Sequence, residues 1–308
     1  MERKVIIIAG PTCSGKTKVA IDLAKKLNTE IVSADSRQVY KSVNIGTAKP
    51  SLEELEKIRH HFIDYIDPSE DFNVSRFETE SIAIFLRLLK AGKIPVVAGG
   101  TGLYIKALTD GIFNTVDSDE EYRSLLKGKM IKYGKDFLYD ELEKLDPVSA
   151  SKMLPQNWKR VMRALEVLHL TGKPIWEFQE TYRREIDFEF HQYGLLWERQ
   201  MLYNNIEKRV DRMINSGLVD EIKYLLEQGY SKEINALNTV GYKEIIDYLE
   251  NNISLERAVE LIKRNTRRYA KRQMTWFRKN NKIKWMQINS EEELITVSDL
   301  ILKDIKFI

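Results

Sequence analysis

Residues 10–17 read Gly10-Pro11-Thr12-Cys13-Ser14-Gly15-Lys16-Thr17, directly behind the apolar run Val5-Ile6-Ile7-Ile8-Ala9. The pattern is G-x-x-x-x-G-K-[ST], set between a buried strand and a helix expected to start at Lys16. Glycines let the backbone wrap closely around an anion, so that successive N–H groups converge on phosphate oxygens. Lys16 adds a mobile positive charge, the Thr17 hydroxyl can ligate Mg²⁺, and the helix N-terminus adds its dipole. Against this stands a plain glycine-rich strand-to-helix turn. The residues favour a site for a di- or triphosphate.

A phosphate is not yet a reaction. Many nucleotide-hydrolysing proteins with this loop add an Asp at the end of an apolar strand to help hold Mg²⁺ and water. Here the run 94–98 leads into Gly99-Gly100-Thr101-Gly102 with no acid, and the run 30–34 leads into Asp35-Ser36-Arg37-Gln38. Asp35 therefore stands alone at a strand's carboxyl end, where open α/β sheets place their ligands. From the residues alone it reads equally as a functional carboxylate or as an N-cap for the following turn. The missing acid disfavours a motor or switch NTPase and leaves small-molecule kinases open.

The elements that must position these groups follow from periodicity. The first ~115 residues alternate strands (5–9, 30–34, 62–66, 94–98) with helices (16–27, 75–91), the signature of a parallel sheet covered on both faces. From about 117 to 191 the strand signal vanishes. Short helical segments (119–133, 135–145, 147–152, 157–170) are broken by Pro147, Pro155 and Gly172-Lys173-Pro174. A core strand returns at 193–197, so the helical block reads as an insertion. Helices follow at 201–215, 218–227, 242–250 and 255–279, with a last strand at 282–287. The expected architecture is a P-loop-type parallel sheet flanked by helices, with C-terminal helices packed on it. Residues 1–116 and 192–308 form that core, and 117–191 form the inserted helical domain.

Composition bounds the class. The chain has 308 residues, 43% hydrophobic and 31% charged, with net charge +3, ordinary for a globular protein. No apolar stretch approaches the ~20 residues of a membrane span, and the N-terminus leads straight into a core strand. A cytoplasmic location without membrane partners is expected. The one cysteine, Cys13, excludes an intramolecular disulfide and cysteine-rich zinc modules. It reads as a small filler rather than a nucleophile. None of the four histidines has ligand spacing, and no zinc is assigned.

Charge is unevenly placed. From Lys263 to Lys284 ten basic residues run without an acid, with Tyr269, Trp276 and Phe277 interleaved. Arg264, Arg267, Arg268, Lys271 and Arg272 form one helical face, with Leu261, Tyr269 and Trp276 expected inward. Solvated faces usually mix signs, so this stripe points to phosphate-backbone binding.

Several motifs together are similar to those of a known family. Gly10 to Thr17, Ala34-Asp35-Ser36-Arg37-Gln38-Val39-Tyr40 and Asn44-Ile45-Gly46-Thr47-Ala48-Lys49-Pro50 resemble the opening of tRNA dimethylallyltransferases. Gly99-Gly100-Thr101-Gly102-Leu103-Tyr104, Arg163-Ala164-Leu165-Glu166-Val167, Gly241-Tyr242-Lys243-Glu244 and Thr266-Arg267-Arg268-Tyr269-Ala270-Lys271-Arg272-Gln273 continue it in order. The resemblance spans essentially the whole chain. It lacks the C-terminal zinc finger that eukaryotic members can carry, so it looks bacterial.

The resemblance implies transfer of a dimethylallyl group from dimethylallyl diphosphate to N6 of the adenine 3′-adjacent to a tRNA anticodon, with release of diphosphate. It implies that Gly10, Pro11, Thr12, Cys13, Ser14, Gly15, Lys16 and Thr17 hold the diphosphate, with Mg²⁺ as cofactor near Thr17. Asp35 would be the general base, oriented by Ser33 and Ser36, and Thr12, Lys16 and Arg209 would stabilise the leaving group. Contacts to the tRNA anticodon stem-loop would come from Asp35, Ser36, Arg37, Gln38, Thr101, Arg123, Lys159, Arg160, Val161, Met162 and Arg163. A monomer is expected. A P-loop kinase and a nucleotide-gated RNA-binding module without chemistry are the competing readings.

Overall fold

The computed structural model describes residues 3–113, 116–182 and 186–306. In chain order the elements are β1 (Lys4–Ala9), α1 (Lys16–Lys26), β2 (Ile31–Ser33), α2 (Leu52–Lys57), β3 (His60–His61), α3 (Val74–Lys90), β4 (Val96–Gly99) and α4 (Gly102–Asp110). Then come α5 (Glu120–Tyr133), α6 (Lys135–Leu145), α7 (Pro147–Ser151), α8 (Trp158–Thr171) and α9 (Ile175–Thr181). The chain continues with β5 (Glu189–Trp197), α10 (Arg199–Asn215), α11 (Leu218–Glu227), α12 (Tyr242–Leu249), α13 (Leu255–Phe277), β6 (Ile283–Ile288) and α14 (Leu294–Lys306).

Six strands form one sheet in the order β3-β2-β4-β1-β5-β6, every pairing parallel. The reason is visible in β1. Val5 to Ala9 are all fully buried, as required of a central strand with helices on both faces. A parallel sheet also sends every strand's carboxyl end the same way. The loops after β1, β2 and β4, which carry Gly10 to Gly15, Asp35 and Gly100–Thr101, therefore emerge along one edge.

The chain divides into two compact units, Met1–Thr109 with Asp187–Ile308, and Asp110–Ile186. The second has its own apolar core, built on Leu126, Leu138, Leu142, Val161, Leu165 and Val167. Both junctions lie earlier in the chain than 116/117 and 191/192. The second of those expected junctions would fall inside β5, which begins at Glu189 rather than 193. Helix α9 departs from the sequence expectation, because Gly172 and Pro174 read as the end of helical structure. Gly172 does cap α8, with φ 68°, and Pro174 then serves as the N-cap of α9.

Two local expectations are corrected. The strand expected at 62–66 is the two-residue β3, with only an isolated bridge from Ile66 to Tyr40. Phe62 and Asp64 take left-handed backbone, φ 63° and 50°, which breaks an extended run. Phe62 instead packs its ring against Phe72 and Phe77, each at 5.4 Å between centroids. On α13 the buried face is Ala258, Ile262, Ala270, Gln273 and Phe277. Tyr269 and Trp276, expected inward, are 36% and 37% exposed.

Candidate active site

The turn from β1 into α1 adopts the expected wrap. Gly10, Cys13 and Gly15 have φ of 151°, 64° and 86°. Gly15 cannot be replaced cheaply, since its φ of 86° strains any residue with a Cβ, and the Leu294 side chain of α14 packs over it. The loop is braced from behind, where Trp197 Nε1 at the end of β5 donates to Ser14 O at 3.0 Å. Lys16 is half-buried and folds back so that Nζ donates to Pro11 O at 2.6 Å. Burial pulls its pKa down to about 8, although Asp35 and Cys13 nearby favour the charged form. Ser14 Oγ is buried without a partner among the described residues. A converging cation, an orphaned hydroxyl and a helix N-terminus together fit a polyanion.

Asp35 sits just past β2. Its Oδ1 accepts from Arg37 N at 2.9 Å and Gln38 N at 3.4 Å, so it caps a turn, and no helix follows it before α2. The same residue also lines a cavity of about 600 Å³ together with Thr12, Lys16, Thr17 and Arg209. Capping and facing the site are compatible because only one carboxylate oxygen is engaged. The neighbouring residues mostly hold the loop. Ser36 N donates to Thr101 Oγ1 at 3.0 Å, which in turn donates to Ser36 Oγ at 3.3 Å. Arg37 reaches Asn235, with Nη1 to Oδ1 at 2.8 Å, and Asn238 O at 3.3 Å. Gln38 Nε2 donates to Thr47 O and Ala48 O at 3.3 and 3.1 Å. Ser33 Oγ donates to Gln38 Oε1 at 3.3 Å rather than to Asp35.

Arg209 is carried by α10. Its Nη1 donates to Thr12 Oγ1 at 3.0 Å and Nη2 to Thr47 O at 3.3 Å, so the guanidinium lies against the phosphate loop. Helix α13 adds residues to which the sequence assigned no individual role: Thr266, Tyr269, Arg272 and Gln273 line the same cavity. Burial, and then the Asp35 charge, push the Tyr269 hydroxyl up to about 12. Gln273 Oε1 accepts from Thr12 N, and its Nε2 donates to Gly100 O, both at 2.8 Å. The available signal was a lone amide among the buried positions of a basic helix. Glu221 of α11 escaped sequence reasoning altogether; its carboxylate accepts from Asn44 N, Ile45 N and Gly46 N at 2.9, 2.8 and 3.3 Å. No local pattern marks a carboxylate that serves a loop 175 residues away in the chain.

The helical unit holds Arg123, Lys159, Arg160, Val161, Met162 and Arg163. Arg123 and Arg163 converge on Glu166, whose side chain is fully buried. Arg163 also donates to Val116 O at 2.6 Å and Asp117 O at 3.1 Å. Burial pushes the Glu166 carboxyl up, but hydrogen bonds from Arg163, the Asp119 amide and Arg123 outweigh it and hold the pKa below its usual value. Val161 and Met162 belong to the unit's core. Lys159 lies over the Trp158 ring at 5.5 Å, and Arg160 is exposed.

On α13, Lys263 pairs with Asp211 at 2.6 Å and Arg267 with Glu207 at 2.8 Å. Arg268, Lys271, Arg272, Arg278 and Lys279 remain exposed. Among the described residues no cluster of three His, Cys, Asp or Glu side chains could cage a metal, and no helix is long and apolar enough to cross a membrane. Thr17 lines the cavity beside Lys16. One hydroxyl next to a polyanion site fits Mg²⁺, which keeps most of its waters and leans on substrate phosphates.

Fold and site together define an α/β protein in which the glycine-rich loop after β1 and a carboxylate line one cavity. The chain belongs to the IPP transferase family, whose pattern it matches over residues 38–280. The tRNA dimethylallyltransferase of Acetivibrio thermocellus is 46% identical over 305 residues, 98% of this chain and 96% of that protein. That of Pelotomaculum thermopropionicum is 45% identical over 287 residues, 93% and 91% of the two chains. Among solved structures, the tRNA isopentenylpyrophosphate transferase of Bacillus halodurans superposes with TM-score 0.72 at 38% identity, covering 99% of this chain and 97% of that one. A eukaryotic dimethylallyltransferase captured acting on tRNA gives TM-score 0.82 at 31% identity, covering 98% and 80%.

Proposed function

We propose that this chain transfers the dimethylallyl group of dimethylallyl diphosphate to N6 of the adenine 3′-adjacent to the anticodon of a tRNA, releasing diphosphate. The observation that carries this reading is the shared cavity, where Asp35 and the residues of the phosphate loop face one volume. An exocyclic adenine amine is a weak nucleophile because its lone pair is delocalised into the ring. The Asp35 carboxylate accepts the N6 proton as the new C–N bond forms, a role worth roughly 10²–10⁴-fold. The C–O bond to diphosphate breaks at the same centre, and the electron pair leaves with the diphosphate. Lys16, Arg209, Thr12 and the loop amides stabilise that developing charge. Mg²⁺ would be held by Thr17 and the diphosphate, and would supply further neutralisation of the leaving oxygens.

The acceptor base has to leave its stack to reach Asp35. The amides of Arg37 and Gln38 bind that carboxylate, Thr101 bonds Ser36 beside it, and the exposed basic residues of α13 suit the RNA backbone. Lys159 and Arg160 offer the helical unit's phosphate contacts. We place the enzyme in the cytoplasm as a monomer.

The deciding experiment supplies dimethylallyl diphosphate, ATP and unmodified tRNA together. Prenylated tRNA and diphosphate should appear in equal amounts while ATP stays intact. Phosphate release from ATP at the rate of tRNA modification would overturn the reading in favour of a kinase or ATPase. Binding of tRNA with no donor consumed would favour a module without chemistry.

A further inference from the structure

Gln273 lines the cavity between the phosphate loop and the turn after β4. It is 7% exposed, on the buried face of α13. Its amide spans Thr12 N in the phosphate loop and Gly100 O in the turn after β4, at 2.8 Å on each side. The orientation of the amide is dictated, since a backbone N–H needs the oxygen and a carbonyl needs the nitrogen. The next residue, Thr101, bonds Ser36 beside Asp35, and the Thr101 N–H donates to Ala34 O at 3.1 Å. One side chain thus links the loop that grips the leaving group to the turn that fixes the base.

We infer that Gln273 is a positioning residue for the transfer reaction, acting through Thr12 and Gly100 to fix the distance between the diphosphate and Asp35. The inference rests on the reaction proposed above. Gly100 belongs to the same device. A Cβ at Gly100 would lie 2.3 Å from Gln273 Nε2, while its other neighbours stay at 3.5 Å, ordinary contact. Absence of a side chain at 100 is what lets the amide reach the carbonyl.

Gln273→Met keeps the volume and removes both hydrogen bonds. Turnover at saturating substrates should fall on the order of 10–10²-fold, the cost of displacing reacting groups by about 1 Å. KM for dimethylallyl diphosphate should change less than about threefold. In a second arm, Gly100→Ala should cost turnover in the native chain and far less in a Gln273→Ala background, because the clash disappears with the amide. Near-native turnover in Gln273→Met, a rise in KM alone, or additive losses in the cycle would each overturn the proposal. Amide exchange at Thr12 supplies a readout that needs no turnover: its N–H should lose protection in Gln273→Met, and unchanged protection would mean that the bridge does not hold this loop. A native chain that fails to prenylate tRNA would count against the reaction, while Thr12 exchange would still decide the bridge.

Discussion

Asp35 carries two duties on one carboxylate. Its Oδ1 ties down the amides of Arg37 and Gln38, and the group also faces the cavity. The duties separate by substitution. Asparagine keeps an oxygen for the cap but cannot take up a proton, whereas alanine loses both. Asp35→Asn and Asp35→Ala should both lower turnover by at least ~10²-fold. Only Asp35→Ala should also lose stability, by about 0.5–1.5 kcal/mol for each lost turn hydrogen bond, read from denaturant unfolding. Turnover of Asp35→Asn within a few-fold of the native chain would remove the base. Lys16 yields a pH dependence. Its pKa of about 8 means that the free loop loses its cation just above neutrality, while a bound polyanion favours the charged form. Affinity for the diphosphate donor should therefore fall as pH rises through about 8, with a proton taken up on binding above that pH. Calorimetry in buffers of different ionisation enthalpy reads the uptake, and Lys16→Met should abolish it.

Helix α8 shows how one turn can hold residues of different kinds. Lys159 and Arg160 point charge outward, while Arg163 closes on a buried carboxylate with Arg123. Lys159→Ala with Arg160→Ala should flatten the dependence of tRNA affinity on salt by ~0.7–0.9 for each phosphate that is no longer neutralised, and leave unfolding unchanged. Arg163→Ala should instead destabilise the helical unit by about 1.5–3 kcal/mol, the value of hydrogen bonds to a charged group. An Arg163→Ala variant with native stability and weakened RNA binding would reverse that division. From sequence, Lys159, Arg160 and Arg163 were alike, because charge type and spacing are local and the partner, Glu166, is distinguished only by burial. The same limit applies elsewhere. Strand β1 and the phosphate loop were legible, since an apolar run and a fixed spacing act within a few residues. The Phe62 kink and the α13 buried face were not, because they answer to aromatic packing and to a site contributed by other elements.

At the scale of the molecule, the sheet's thin edge is held by charge. Glu30 beside β2 binds His61 Nε2 of β3 at 2.6 Å and pairs with Arg87 of α3. Hydrogen bonds from Arg87 outweigh burial and, with His61, hold its pKa near 2 against an ordinary 4.5. A depressed carboxylate contributes stability that is present above pH ~4.5 and lost as pH falls toward 2. Glu30→Gln should therefore lower the melting temperature at pH 7, and the gap from the native chain should narrow steadily below pH 4.5. A gap independent of pH would mean that the pairing is not electrostatic. The chain order of the site has a further consequence, one of timing. The phosphate loop leaves a ribosome long before its clamp, which is residue 273, and before Leu294, whose side chain packs against Gly15. Neither exists when the loop itself is first made. A growing chain therefore carries the loop without its restraints until α13 and α14 have followed, and the site is completed by pairings between distant parts of the sequence.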